Sequence, residues 1–412
     1  MSVSASSVLP STRSSPPKTL RNRFGLEWFW LAMAKLGVRE LFFEELREGS
    51  RVKHQIVTSY FVAYNNVMTR TQQAKIGYAD LFAGPGLYRT QGGQAIKSIP
   101  LLICERVVAD KRFQDKVHLW FNDGNPSYAT ELGKAIKAVQ GIDSLRFSPK
   151  VSNRVVDASW CPKLERLSVP TLVFLDPFGY KGLSLRLVTA AIKRHGNDCI
   201  FFFNYSRINM KLSLELMKDS IDDFFEPERA NALRAELENR EPPEREELIL
   251  TSVKSAIENA GAFPLTFRFK SDNGRTSHHL VYASKNQRAA GMMKSILKTA
   301  SSEIVEGVGS SQYDPHGGEA PGNMFAGLYQ VADRLLSVFA GRKIQFELLL
   351  SEEAGTHFTE SNYRDALLDL ESTGRVHVEP SAELRRLQPG GQKRTLPKGV
   401  WLTFPSGDQD GQ

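Results

Sequence analysis

Between Lys53 and Val67 the apolar residues Ile56, Val57, Tyr60, Phe61 and Tyr64 recur at the spacing of one helix face. Helical spacing begins earlier, near Trp28. The pattern then changes to short, nearly continuous apolar runs separated by polar turns. Ile76 to Phe82 predicts a buried strand that ends at Gly84-Pro85-Gly86, and Val117 to Phe121 a second that ends at Asn122-Asp123. A helix follows from Tyr128 to Val139, then a weaker strand from Leu145 to Val151. Thr171 to Leu175 reads as a strong strand ending at Asp176-Pro177. A helix near Leu183 to Arg194 leads into the strand Asp198 to Phe203. Strands alternating with helices of this length predict an α/β fold with a parallel, doubly wound, Rossmann-like sheet. Pro264 to Lys270 and His278 to Ser284 alternate around Asp272-Asn273-Gly274 as a terminal hairpin. A charged helical insertion, about 210–260, precedes them.

The composition changes at 307–323, where Gly, Ser and Pro mark a linker. Beyond it Leu328 to Phe339 and Ile344 to Glu353 read as helices. Thr359 can cap a third helix, which places Tyr363, Ala366, Leu367 and Leu370 on one face. Val376 to Val378 and Val400 to Phe404 are short strands flanking a basic loop. This predicts a winged helix-turn-helix domain over 324–405, after an α/β domain over 23–306. The first 22 residues are rich in Ser, Thr, Pro and Arg and lack acids. They read as a disordered tail, with an organelle transit peptide as the alternative; 406–412 is a second tail.

A chain of 412 residues is long enough for a full α/β core. Its 53 Lys and Arg against 46 Asp and Glu leave +7, compatible with an anionic partner. Cys104, Cys161 and Cys199 are too scattered for a zinc or redox pair, and nothing calls for an oxidising compartment. His278-His279 does not have metal-ligand spacing, because alternation sends the two side chains to opposite faces. No metal site is expected. No apolar run approaches the ~20 residues that span a bilayer, and a cytoplasmic location is the expectation.

The strand ends carry the candidate chemistry. Asp80-Leu81-Phe82-Ala83-Gly84-Pro85-Gly86 follows a strand, and glycine lets backbone approach a nucleotide closely. Asp80, Gly84 and Gly86 are candidates for binding S-adenosylmethionine; the plain alternative is a tight strand–helix turn. Asp123 stands where an acid accepts ribose hydroxyls, or else it starts a turn or caps the next helix. The stretch from Gly86 to Asp123 is longer than the ~20 residues of the dinucleotide fingerprint, so 87–116 holds an insertion near Gly92-Gly93. Asp176-Pro177-Phe178-Gly179 resembles the Asp/Asn-Pro-Pro-Tyr motif of amino-methyltransferases without its second proline. Such a carboxylate and proline carbonyl accept from a target NH₂ while the aromatic stacks on a base. Asp176, Pro177 and Phe178 are therefore the catalytic candidates, against a strand-ending turn in which Asp176 binds backbone amides. Asn204, at the end of the next strand, lines the same cleft or merely caps it. The acid-free loop carrying Arg385, Arg386, Lys393, Arg394 and Lys398 offers contacts to nucleic-acid phosphates, or is merely solvated.

At these residues the sequence resembles the three-Cys-motif partner family, TcmP. The likeness runs from about Lys53 to Phe404 and is most specific around Asp80 to Gly86. It includes Lys53 to Tyr60, Ser98 to Leu102, Asp176 to Gly179 and His279 to Ser284. The resemblance implies a class I methyltransferase-like fold working beside a radical-SAM-like partner. The family name refers to cysteines of that partner, not of this chain. Two positions depart from the family pattern: Lys97-Ser98-Ile99-Pro100 replaces Gly-Ser-Pro, and Ser152-Asn153 replaces an acid near an Asn. Three functions follow as expectations: a methyltransferase acting on a nucleic-acid or nucleotide-like amino group, a non-catalytic binding subunit of the same fold, or a winged-helix regulator.

Overall fold

The computed structural model describes residues 38–89, 95–179, 181–212, 214, 218–302, 304–305, 308–309, 311–315, 326–356, 358–387 and 394–406. The expected tail 1–22, the helical start at Trp28, Gly92-Gly93, Lys393 and most of the linker and last tail lie outside them. The chain divides into two units, Met1–Arg47 and Glu48–Gln412. Of the first, only 38–47 is described, and it is helical.

The elements of the α/β region run as follows. Helix α1 (Val38–Met68) leads to β1 (Ile76–Asp80), the hairpin β2 (Leu87–Arg89) and β3 (Ala95–Lys97), α2 (Ile99–Val108) and α3 (Lys111–Lys116). Then come β4 (Val117–Asn122), α4 (Pro126–Lys137), β5 (Lys150–Ser152), α5 (Cys161–Glu165), β6 (Thr171–Leu175), α6 (Leu185–Ala191) and β7 (Asp198–Phe203). Four helices follow: α7 (Tyr205–Leu212), α8 (Lys218–Phe225), α9 (Pro227–Glu236) and α10 (Pro242–Asn259). The region closes with β8 (Phe263–Lys270), β9 (Thr276–Ser284), α11 (Gln287–Ala300), the small ladder β10 (Ile304–Val305) and β11 (Val308–Gly309), and β12 (Gln312–Tyr313).

The main sheet has the order β5-β4-β1-β6-β7-β9-β8-β12, parallel except for β9, which runs antiparallel between β7 and β8. Counting the seven strands from β5 to β8 along the chain, this is the order 3-2-1-4-5-7-6 of a class I methyltransferase-like sheet. β1, β6 and β7 are buried along their whole length because helices cover both faces, which is why they read as continuous apolar runs. One core gathers Ile56, Phe61, Tyr78 and Leu132 against α1, α2 and α4. The other gathers Val173, Phe203, Val188 and Ile249 against α5 to α10.

The expected strands at Thr171–Leu175 and Asp198–Phe203 stand at those bounds. The expected strand Leu145 to Val151 contracts to β5, whose side chains are half exposed at the sheet edge. The hairpin β2–β3 is the expected insertion after Gly86. The expected linker is partly sheet: Gln312 and Tyr313 pair in parallel with Arg268 and Phe269.

The C-terminal module comprises α12 (Ala326–Val338), β13 (Lys343–Gln345), α13 (Phe346–Glu352), α14 (Glu360–Ser372), β14 (His377–Glu379) and β15 (Trp401–Thr403). Its strands form an antiparallel sheet ordered β13-β15-β14. The first of these replaces the start of the helix expected from Ile344. Thr359 and Asn362 form a reciprocal cap that starts α14, and Tyr363, Ala366, Leu367 and Leu370 are buried in the module's own core. The module is tied to α11: Lys294 Nζ, buried, donates to the Glu353 carbonyl at 2.8 Å.

Candidate functional site

β1 is the switch point of the sheet. Strands to one side of it continue through β4 and β5, and strands to the other through β6 and β7. A crevice outside the carboxyl ends of such strands is where open α/β sheets bind ligands. Three carboxylates stand there: Asp80 closes β1, Asp123 follows β4, and Asp176 follows β6.

Asp80 is buried, and its Oδ1 accepts the Phe82 amide at 3.0 Å. Burial pushes its carboxyl well above the usual range; the Phe82 amide opposes the shift, and the neighbouring Asp176 and Asp123 reinforce it. The turn that follows is held by Asn122, whose side-chain amide donates to the Leu81 carbonyl at 3.1 Å and whose own carbonyl takes the Ala83 amide at 2.9 Å. Gly84 and Gly86 then adopt φ of 66° and 86°, the left-handed region that favours glycine. Asp123 Oδ2 accepts the Gly84 amide at 2.8 Å, and Oδ1 accepts the Asn125 amide at 2.8 Å. The cap of α4 belongs to Asn125 instead, whose Oδ1 accepts the Ser127 and Tyr128 amides.

The two glycines differ in what surrounds them. A Cβ on Gly86 would lie 3.0 Å from Leu132 Cδ1 and 3.3 Å from Ala135 Cβ, both on α4. Gly86 thus serves strand–helix packing. A Cβ on Gly84 would lie 2.6 Å from the hydroxyl of Tyr88, a residue of β2 that no sequence pattern singles out. Burial, with Asp176, Tyr128, Asp80 and Asp123 nearby, drives that phenol's pKa up.

On the other side, no backbone amide among the described residues donates to Asp176. Its Oδ2 accepts Lys53 Nζ of α1 at 2.7 Å, and both side chains are mostly buried. The same ammonium lies 4.5 Å from the centroid of Phe202, on which His278 stacks at 4.8 Å. His54 and His278 are pushed down to about 4, by burial first and then by the charge of Lys53, so both imidazoles are neutral at pH 7. Pro177 is buried, whereas Phe178 is 86% exposed with the Arg207 guanidinium 5.7 Å from its ring. Asn204 Oδ1 accepts the Arg207 amide at 3.1 Å at the start of α7. His279 faces away from His278 and meets Glu246 at 3.0 Å. Lys53, His54, Tyr88, Phe202 and His278 are the additions to the expected set. One signal was present: Lys53 sits one turn before Ile56 and Val57, on the buried stripe of α1.

The basic loop is less cationic than its sequence. Arg385 is buried and paired with Glu371, so it is not presented to a phosphate. Lys398 pairs with Glu360 at 2.8 Å, and Arg394 donates to the Arg385 carbonyl at 3.0 Å. Arg386 is exposed. A separate cleft of about 710 Å³ lies between α9 and α10, lined by Glu226, Arg229, Leu233 and Ser252, and holds none of the expected site residues. Among the described residues no helix is long and apolar enough to cross a membrane.

No protein-family model matches the chain, and no curated protein matches it. Among solved structures it is similar to the methyltransferase domain of a bacterial CtHen1, at 11% identity and a TM-score of 0.30, over 56% of this chain and 98% of that one. It is similar to magnesium protoporphyrin IX methyltransferase from Synechocystis PCC 6803, crystallised with SAH, at 9% identity and a TM-score of 0.29, over 62% and 99% of the two chains. It is similar to M. jannaschii TYW2 in complex with AdoMet at 12% identity and a TM-score of 0.26, over 54% of this chain and 74% of that one. The fold assignment itself rests on strand order and direction.

Proposed function

We propose that the chain binds S-adenosylmethionine across the ends of β1 and β4 and methylates an exocyclic amino group of a nucleic acid or nucleotide-like molecule. The observation that carries this reading is the set of three carboxylates, Asp80, Asp123 and Asp176, at the ends of three adjacent parallel strands around the switch point. These acceptors fit a cofactor that bears a cationic ammonium, a sulfonium and ribose hydroxyls. The hydroxyl of Tyr78 fits as well: it is buried beside Asp80 and Asp176 and, among the described residues, has no hydrogen-bond partner.

Asp80 and Asp123 would hold the cofactor, with the Gly84 turn beneath it. When bound, the cofactor supplies an electrophilic methyl group. Asp176 would orient an acceptor N–H, and Phe178 would stack on the acceptor ring. Placing the nitrogen lone pair in line can supply much of the rate without a strong base. The resemblance to the three-Cys-motif partner family extends the proposal to a radical-SAM-like partner, and the C-terminal module, read as a winged helix, to nucleic-acid contact through Arg386.

Calorimetric titration of the full chain with S-adenosylhomocysteine is the first test; no binding rejects the methyltransferase reading. Radiolabelled methyl transfer to oligonucleotides, with and without the partner, is the second. Two contacts favour the binding-subunit alternative: Lys53 already occupies one oxygen of Asp176, and Tyr88 lies over Gly84. Cofactor binding without transfer to any acceptor would select it.

A further inference from the structure

Asp176 is a part-buried carboxylate at the acceptor end of the crevice, and left alone it would attract alkylammonium ions. That attraction is unproductive for methyl transfer. An ordinary alkylamine is protonated at neutral pH, as a lysine side chain is, and has no lone pair to offer. An exocyclic amine on a nucleobase is neutral and keeps its N–H bonds for a carboxylate.

The structure shows an ammonium already in place. Lys53 Nζ is 2.7 Å from Asp176 Oδ2 and 4.5 Å from the Phe202 centroid. Carboxylate and ring face are the two attractions a bound alkylammonium would use. Among the described residues Lys53 is the hydrogen-bond partner of this carboxylate, which leaves Oδ1 to accept one N–H from a neutral donor. The remaining acceptor-side groups suit a flat, neutral amine: His54 and His278 are uncharged, and Phe178 offers an exposed ring.

We propose that Lys53 is a specificity-determining residue: paired with Asp176, it closes the acceptor end to alkylammonium ions and leaves it to neutral aromatic amines of the nucleobase class. The assignment deepens the methyltransferase reading above and rests on it for the meaning of the site. The ion pair itself fixes the selectivity.

The test is calorimetric titration of the full chain with n-butylammonium chloride. Lys53→Met and Lys53→Gln should each bind butylammonium at least about tenfold more tightly than wild type, a change of about 1.4 kcal/mol. Lys53→Gln is the safer fold, because its amide can still donate to Asp176. Lys53→Arg should keep the wild-type preference, and adding Asp176→Asn to Lys53→Gln should abolish the gain. A merely structural role would move melting temperature without this change of ligand preference. Equal butylammonium affinity in wild type and a folded Lys53→Gln overturns the proposal. Failure of S-adenosylhomocysteine to bind wild type would instead reject the methyltransferase reading, and leaves the butylammonium comparison intact as a separate result.

Discussion

The Gly84 amide donates to Asp123 Oδ2 at 2.8 Å, which joins the turn after β1 to the end of β4. The two candidate cofactor contacts are one mechanical unit. Asp123→Ala should therefore lower S-adenosylhomocysteine affinity at least about tenfold and also cost about 1.5–3 kcal/mol of stability, the range for a hydrogen bond to a charged group. Asp123→Asn, which keeps an acceptor oxygen, should recover most of the stability. Calorimetry beside a chemical melt reads both; unchanged affinity in Asp123→Ala would remove this residue from the site.

Gly86 and Gly84 should respond differently to substitution. Both positions hold a left-handed φ that strains any side chain, but at Gly86 the side chain also meets Leu132 and Ala135, so Gly86→Val should destabilise the fold by about 2 kcal/mol or more. At Gly84 the obstacle is the far end of the Tyr88 side chain, which can swing aside. Gly84→Ala should be the milder change in a thermal melt, and adding Tyr88→Phe should relieve part of its cost. Equal melting temperatures for Gly86→Val and wild type would contradict the packing.

Asp198 makes stability depend on pH. Burial raises its carboxyl to about 6, against the hydroxyls of Ser284, Tyr60 and Tyr282. The Tyr60 hydroxyl donates to Asp198 Oδ2 at 2.6 Å. A raised folded-state pKa means that the folded protein holds a proton the unfolded chain gives up. The contribution is present below the unfolded value of about 3.9 and is lost as pH rises through about 6, on the order of 3 kcal/mol. Denaturation between pH 4 and 7 should show this decline, and Asp198→Asn should flatten it.

Arg385 and Arg386 should separate fold from binding. Arg385→Ala leaves Glu371 without its buried partner and should destabilise the module by about 3 kcal/mol. Arg386→Ala should leave the melt unchanged and weaken any oligonucleotide binding, with a smaller salt dependence. Fluorescence anisotropy at two salt concentrations reads this. A large melt change in Arg386→Ala would contradict its exposed placement.

The C-terminal module has its own core, including Val331, Phe346, Leu367 and Leu402, so a fragment spanning 324–405 should show a cooperative thermal transition. In the full chain, Lys294→Met should lower the melting temperature of the module more than that of the α/β region, because it removes the buried donor to Glu353. A fragment that stays unfolded would show that the module depends on α11.

The strands were legible where helices cover both faces, since burial there leaves a continuous apolar run, as in Thr171–Leu175. The short strands β5 and β12 carry too few residues for a periodic signal, and β12 was read as linker. The acids at the strand ends were legible because each follows such a run. The partner of Asp176 was not, since Lys53 is 123 residues away and only the fold brings them together. Arg385 shows the same limit: sequence displays a charge but not the burial that pairs it.

The edges of the main sheet have a consequence for assembly. One ends on β5, three residues long, and the other on β12, two residues long. Each edge strand by itself offers only a short row of amides and carbonyls onto which a foreign strand could zip. A protein that docks at β5 or β12 would find few backbone groups to pair with there, so its specificity at these two strands would rest on side chains and be open to alanine scanning.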